Sequence, residues 1–316
     1  MNARYRVYQR VKLSIAPLVR GGLLSFEIHN PGLGFFAHLN WCANVLGYCQ
    51  RRGLKAQLSA ISPQYRDPTR SPNWLTYFFA IPDAEGSVDF RIAQFSELCM
   101  PRRYLEWRTI ERVSELVSRH LPLRTEIQGK RDQFCDEHFA GKKILGLHFR
   151  GTDKTEEAPR VGWDAMRQTV CNYLRENHAD ALFVASDEPA FIDYVNDSFP
   201  HLALISTGCA RGGLAARYKA DLGSDNYRKG EGALLDCLLL SRCSAVIRTT
   251  SFLSAWASIF NPALPIVLLN HPYPETLWFP ESALIPRSMD RYLRASNTRS
   301  IDSSVCASTM NEGHRS

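Results

Sequence analysis

Between residues 144 and 269 short apolar runs alternate with stretches of helical spacing, and this alternation constrains the fold more than any other feature of the chain. The runs fall at 144–149, 182–185, 202–205, 245–247 and 266–269, with helical patterns near 164–176, 189–197, 231–241 and 252–260. Parallel strands cannot be joined by a tight hairpin, so strands separated by helices predict a parallel sheet with crossover helices. The expected product is a Rossmann-like α/β lobe that binds ligands beyond the carboxyl ends of its strands. It carries neither a G-x-G-x-x-G fingerprint nor a G-x-x-x-x-G-K-[ST] loop, which argues against standard NAD enzymes and P-loop NTPases.

The amino-terminal part reads as a second α/β unit. Leu23-Leu24-Ser25-Phe26-Glu27-Ile28 predicts a strand, Asn30-Pro31-Gly32 a turn, 35–52 a helix and Lys55-Ala56-Gln57-Leu58 a second strand. Residues 62–74, rich in Pro, Arg and Ser, read as a long loop of the kind that carries binding residues or is simply irregular surface. From Tyr104 to Phe139 the pattern is helical, with Ile110, Val113, Leu116 and Val117 on one apolar face, joining the two halves. The expected division is 1–125 as an amino-terminal α/β lobe, 126–295 as a Rossmann-like nucleotide-binding lobe, and 296–316 as a disordered Ser, Thr and Asn-rich tail.

With 316 residues, 45% hydrophobic and 22% charged, the chain has the composition of a soluble two-lobed protein. A net charge of +6 suits anionic ligands or acidic membrane surfaces, and without a clustered basic stripe it gives no nucleic-acid signature. The nine cysteines are odd in number and lack C-x-x-C spacing, so reduced, mostly buried thiols and a cytoplasmic setting are expected. Pro17, Arg20 and a Gly pair interrupt the first apolar stretch, and no apolar run reaches spanning length, which predicts neither a signal peptide nor a membrane span. A lipid-linked acceptor would then require peripheral membrane association.

Several candidate sites lie at predicted strand ends. The run 144–149 leads into Arg150-Gly151-Thr152-Asp153-Lys154 and Glu156-Glu157, where Arg150 and Lys154 are suited to a pyrophosphate and Glu157 to accepting a proton; the alternative is a solvated charge run. Asp187, in Ala185-Ser186-Asp187-Glu188-Pro189, falls beside the ligand cleft or serves as an N-cap. Asp236, inside an apolar helix pattern, is either a buried acceptor for donors such as those of guanine or part of an exposed helix face. Thr249-Thr250-Ser251 opens a helix, as an anion site or as ordinary capping. His38 and His148 have no companions at metal-ligand spacing, and D-x-D is absent, so no metal is expected.

In their order these pieces resemble the GDP-fucose-using fucosyltransferases, above all the α1,6 enzymes with their bacterial nodulation-type members. The shared elements are the glycine turn and helix at 32–40, His148-Phe149-Arg150-Gly151-Thr152-Asp153-Lys154, Ala185-Ser186-Asp187-Glu188-Pro189, and Leu234-Leu235-Asp236 through Ser241 to Thr249-Thr250-Ser251. The resemblance implies a GT-B-like fold, two Rossmann-like lobes around a cleft, and inverting, metal-independent transfer of fucose from GDP-fucose to a glycan or glycolipid hydroxyl, a chitooligosaccharide-type acceptor among them. It also implies guanine contacts at His148 and Asp236, pyrophosphate contacts at Arg150 and Thr249 to Ser251, and donor contacts at Asp153 and Asp187. Glu157, or Glu156, becomes the base, supported by Lys154. Gly151 stands where the α1,6 enzymes carry a second arginine, which bears on the linkage formed. A non-catalytic binding protein of this fold, or a transferase using another nucleotide sugar, is the alternative; the oligomeric state is not indicated.

Overall fold

The computed structural model describes residues 3–19, 21–83, 88–92, 109–151, 158–207, 225–273 and 292–293. The elements in order are α1 (Ala3–Val19), β1 (Leu23–His29), α2 (Phe35–Arg51), β2 (Lys55–Ile61), α3 (Leu75–Phe78), β3 (Phe90–Ile92), α4 (Ile110–His120), α5 (Thr125–His138), β4 (Ile144–Phe149), α6 (Trp163–Glu176), β5 (Ala181–Ser186), α7 (Pro189–Ser198), β6 (Ala203–Ile205), α8 (Asp225–Leu240), β7 (Ala245–Arg248), α9 (Phe252–Phe260), β8 (Ile266–Leu268) and β9 (Tyr292–Leu293).

They form two parallel sheets. The smaller has the order β2-β1-β3 and the larger the order β6-β5-β4-β7-β8-β9. Counted from β4, the larger order is 3-2-1-4-5-6, that of the dinucleotide-binding fold. Its central strands are buried along their whole length, which is why they read as continuous apolar runs rather than as an alternation.

Helices cover both faces. Leu145, Leu147, Phe149, Leu182, Val184 and Ile247 pack with Met166 and Val170 of α6 and with Phe191 and Val195 of α7. The opposite face, with Ile144, Phe183 and Val246, meets α8 and α9 in a core that continues into the smaller lobe. At Gly146 a Cβ would stand 3.0 Å from Cys243 Sγ and Val246 Cγ2 and 3.1 Å from Leu240 Cδ2, so a missing side chain lets the end of α8 approach β4.

The lobes share this core. α4 packs against both α2 and α9, and the Phe36 and Trp256 rings lie 6.1 Å apart. The Phe78 and Tyr227 rings stack at 5.3 Å, and Asn226 Nδ2 donates to the Pro63 and Arg66 carbonyls at 3.0 and 3.2 Å.

Two expectations are sharpened. The helical stretch from Tyr104 to Phe139 is two helices, α4 and α5, broken at Leu121–Arg124, where Pro122 cannot continue a helix and Leu123 bridges to Phe79; residues 104–108 lie outside the described residues. The loop at 62–74 is not simply irregular surface, because Ser62, Gln64, Tyr65, Asp67, Asn73 and Trp74 are buried. Asn73 works here as a brace, accepting from Ala60 N at 2.9 Å and donating to the Leu58 carbonyl at 3.3 Å. The 296–316 tail lies outside the described residues.

Candidate active site

In a sheet of this order the connections diverge between β4 and β7, and the two strands leave a crevice beyond their carboxyl ends. His148 pairs with Arg248 across that boundary, and Thr249 N donates to the His148 carbonyl at 3.1 Å. One residue on, Arg150 N donates to Thr249 Oγ1 at 3.0 Å. The backbone that presents Arg150 is therefore held by a hydroxyl from the neighbouring strand end. Thr152 to Glu157 lie outside the described residues, and with them the expectations for Asp153, Lys154, Glu156 and Glu157.

The hydroxyl cluster divides into different tasks. Thr250 is committed to Asn270, its N–H donating to Asn270 Oδ1 and its hydroxyl to the Asn270 carbonyl, both at 2.7 Å. Asn270 Nδ2 in turn donates to the Pro159 carbonyl at 2.7 Å, tying down the segment that follows residues 152–157. Ser251 stands apart. It is the N-cap of α9 with extended backbone, makes no side-chain cap, and its Oγ is buried with no hydrogen-bond partner among the described residues. A buried hydroxyl beside the free N–H groups of a helix start is suited to an anion.

Asp236 is buried rather than on an exposed helix face, and Thr207 Oγ1 donates to its carboxylate. Burial pushes the neighbouring Cys237 thiol far up; Asp236 adds to that rise, and the Arg248 guanidinium opposes it. Arg248 is wholly buried. The acid and this cation thus act in opposite directions on one buried thiol. Sequence reasoning missed Arg248, Thr207 and Asn270. For Arg248 a signal was there, since an arginine ending an apolar strand just before a hydroxyl cluster has no cheap place in a core.

Asp187 follows β5, whose last residue, Ser186, accepts from Glu188 N at 3.1 Å. Glu188 is a further residue that the sequence reading passed over. Its carboxyl is raised above the usual range, first by burial and then by the Asp187 charge, and is partly relieved by hydrogen bonds from the Trp163 side chain and the Gly151 N–H and by Arg160. A Cβ on Gly151 would stand 2.6 Å from both Glu188 Oε1 and Phe149 Cε1. Glu188 and the Phe149 ring, itself stacked on Phe191 at 4.4 Å, fill the space in which a side chain at 151 would begin.

The glycine turn and helix at 32–40 reach the large lobe through Phe36, whose ring lies 6.1 Å from that of Trp256 in α9. His38 lies instead in an aromatic cluster with Tyr65 and Trp74, and burial lowers its pKa to about 4. The neutral imidazole has Nδ1 3.1 Å from the Gly34 carbonyl. Among the described residues no group of three or more His, Cys, Asp or Glu side chains is placed to hold a metal ion, and no helix is long and apolar enough to cross a membrane.

Comparison with known proteins follows the same elements. The family model of Nodulation protein Z (NodZ) matches residues 96–277. Nodulation protein Z of Sinorhizobium fredii (strain NBRC 101917 / NGR234) is 30% identical over 184 residues, 53% of this chain and 55% of that protein. Its counterpart in Bradyrhizobium diazoefficiens is 29% identical over 183 residues, 53% of this chain and 48% of that protein. The chain thus spans about half the length of the curated relatives it matches. Among solved structures, a NodZ alpha-1,6-fucosyltransferase soaked with GDP-fucose superposes with a TM-score of 0.51 at 21% identity, covering 77% of this chain and 94% of that one. Fucosyltransferase NodZ from Bradyrhizobium gives the same values. This likeness agrees with the expected GT-B-like fold, and the family match takes in more than half of the chain, including every strand end and helix start described above from β4 to β8: the chain belongs to the NodZ family.

Proposed function

We propose that this protein is an inverting glycosyltransferase that moves fucose from GDP-fucose to a glycan hydroxyl. The observation that carries this reading is the anion-binding geometry at the β4–β7 boundary. Arg150 stands on a backbone braced by Thr249, and the buried Ser251 hydroxyl, without a partner among the described residues, opens α9. A nucleoside diphosphate leaving group needs such fixed donors, because negative charge grows on its β-phosphate as the glycosidic bond breaks. The buried Asp236 carboxylate supplies an acceptor for the N1–H and N2–H of guanine, and His148 lines the same boundary. The related NodZ structures were soaked with GDP-fucose or co-crystallised with GDP, which favours this donor over other nucleotide sugars.

In the proposed step the acceptor hydroxyl gives its proton to Glu157, or to Glu156, while its oxygen forms a bond to the anomeric carbon from the face opposite GDP. The bond from that carbon to the β-phosphate oxygen breaks, and the electron pair leaves with GDP. Arg150, with Lys154, stabilises the departing charge, and Asp153 and Asp187 hold the donor and its surroundings. No metal or other cofactor is assigned a role. The acceptor proposed is a chitooligosaccharide-type glycan, bound on the amino-terminal side, and the proposed setting is cytoplasmic.

Calorimetric titration with GDP, GDP-fucose, GDP-mannose, UDP and ADP in the presence of EDTA tests the donor assignment. Selective binding of GDP and GDP-fucose is expected. Equal binding of UDP or ADP would remove the guanine site, and binding that requires a divalent cation would overturn the metal-free reading.

A further inference from the structure

Helix α1 presents an apolar stripe to solvent. Val7, Val11, Ile15 and Leu18 recur at helical spacing and are 59%, 50%, 51% and 84% exposed, with Tyr8 beside them at 59%. Residues spaced by three or four positions share one helix face, so these side chains form a continuous strip rather than scattered contacts. The opposite face holds the helix to the body. Leu13 is buried, Ala16 packs against the core, and Lys12 Nζ donates to the Asp89 carbonyl and lies 4.9 Å from the centre of the Phe90 ring. The apolar strip is thus the outer surface of a docked helix.

The sequence around it is one-sidedly basic. The first 26 residues contain Arg4, Arg6, Arg10, Lys12 and Arg20 and no acid. The tight turn after α1, closed by Gly22 N donating to the Pro17 carbonyl at 2.9 Å, brings the chain to Leu23, which is 45% exposed. Leu23 pairs with Lys55 across the sheet, and Lys55, Arg51 and Arg52 are all exposed at this end. The strip therefore continues through Leu23 at the amino end of β1, beside the exposed cations Arg51, Arg52 and Lys55. A second protein copy could cover apolar side chains, but clustered like charges on both copies would then face one another. An anionic bilayer matches both features, accepting the apolar side chains below its headgroups and attracting the cations.

We infer that α1, with Leu23, Arg51, Arg52 and Lys55, is a docking surface for an anionic lipid bilayer. This surface lies at the amino ends of the small sheet, whereas the candidate active site lies at the carboxyl ends of the large one, so docking leaves the crevice unobstructed by the same residues. The inference does not depend on the donor assignment.

The test is co-sedimentation of the full chain with phosphatidylcholine vesicles, with and without phosphatidylserine, at low and high salt. Binding only to the phosphatidylserine vesicles, lost at high salt, is expected. Val11→Asp with Ile15→Asp should weaken it by about tenfold or more, because two strip residues would carry charge into the interface. Arg52→Glu with Lys55→Glu leaves the strip intact and should remove most of the dependence on anionic lipid. An unchanged thermal transition shows that each variant is folded. Absence of vesicle binding, binding indifferent to both variants, or a dimer by light scattering that the Asp variant dissolves would each overturn the proposal. GDP titration of the same variants should be unchanged, which separates this outcome from any failure of the donor site.

Discussion

Ser251 and Thr250 are adjacent hydroxyl residues with opposite expected behaviour. Ser251 Oγ has no partner among the described residues and makes no cap, so Ser251→Ala removes a buried polar atom that contributes little to the empty protein. The unfolding free energy should stay within about 0.5 kcal/mol of the parent. GDP affinity should fall by roughly 10-fold to 100-fold, the value of a hydrogen bond to a charged group. Thr250→Val should do the reverse, because it strands the Asn270 carbonyl and costs about 1–3 kcal/mol of stability. Urea unfolding and calorimetry on both variants check the pair; a Ser251 variant that binds GDP normally would remove that hydroxyl from the phosphate site. His38 adds a pH effect. Its folded pKa of about 4 lies below the ordinary value of 6.5, so the unfolded chain binds more protons between those limits. Stability is then present above pH 6.5 and is lost as pH falls toward about 4, at about 1.4 kcal/mol per pH unit for one full proton. Replacing the ring by Phe should flatten the wild-type decline over that window in urea unfolding as a function of pH.

At the scale of elements, the β4 end shows why a strand that reads simply in sequence can hide its local geometry. Gly146 and Gly151 look alike in the sequence, yet one admits the end of α8 and the other faces Glu188 and Phe149. Gly146→Ala should destabilise by about 1–3 kcal/mol, since its closest neighbours are core side chains without free space. Gly151→Arg, which recreates adjacent arginines, should lower kcat/KM rather than raise it, because the new side chain must displace a hydrogen-bonded carboxyl and a stacked ring. Adding Glu188→Ala should recover part of the loss; a gain of activity in the single variant would mean that the pocket opens freely. The parallel strands were legible because a sheet buried on both faces must be apolar throughout, and the helices between them because their period differs. A parallel sheet with crossover helices followed from that alternation, as did the positions of Arg150, Asp187 and Ser251 at strand ends, whereas the order β6-β5-β4-β7-β8-β9 and the strand β9 were not read from it. Burial of Asp236 was one of two open readings, since its flanking leucines fit an amphipathic helix as well as a wholly covered one. Thr207 and Asn270 were not legible, because their partners are distant in the chain and carry no local spacing, whereas Arg248, ending an apolar strand just before a hydroxyl cluster, carried a signal that went unused. The break at Pro122 was legible in principle and was overridden by the apolar period on either side of it.

For the whole molecule, the two sheets invite a picture of independent lobes, yet the side chains between them argue for one cooperative unit. Phe36 of the small lobe meets Trp256 of the large one, Phe78 stacks on Tyr227, and the Asn226 amide ties α8 to the 62–74 loop. Arg70 adds to this contact, with its guanidinium 4.1 Å from the centre of the Tyr227 ring. Among the described residues the small sheet has three strands, of which β3 is short, and α2 packs against α4 and α9 as well as against that sheet. Separated from the large lobe, it would expose the α2 surface that meets α9 to water at about 25 cal/mol per Å², which makes a folded small lobe beside an unfolded large one unfavourable. Urea unfolding followed by far-UV circular dichroism and by tryptophan fluorescence should therefore give coincident single transitions. Trp256→Ala tests the coupling directly. It should lower the common midpoint by an amount corresponding to about 3–5 kcal/mol, the cost of emptying a buried aromatic site, while the two probes remain coincident. Two transitions in the wild type, or a Trp256 variant in which only the large lobe loses stability, would show that the lobes fold separately and that their relation around the crevice is set by the bound ligands instead of by this core.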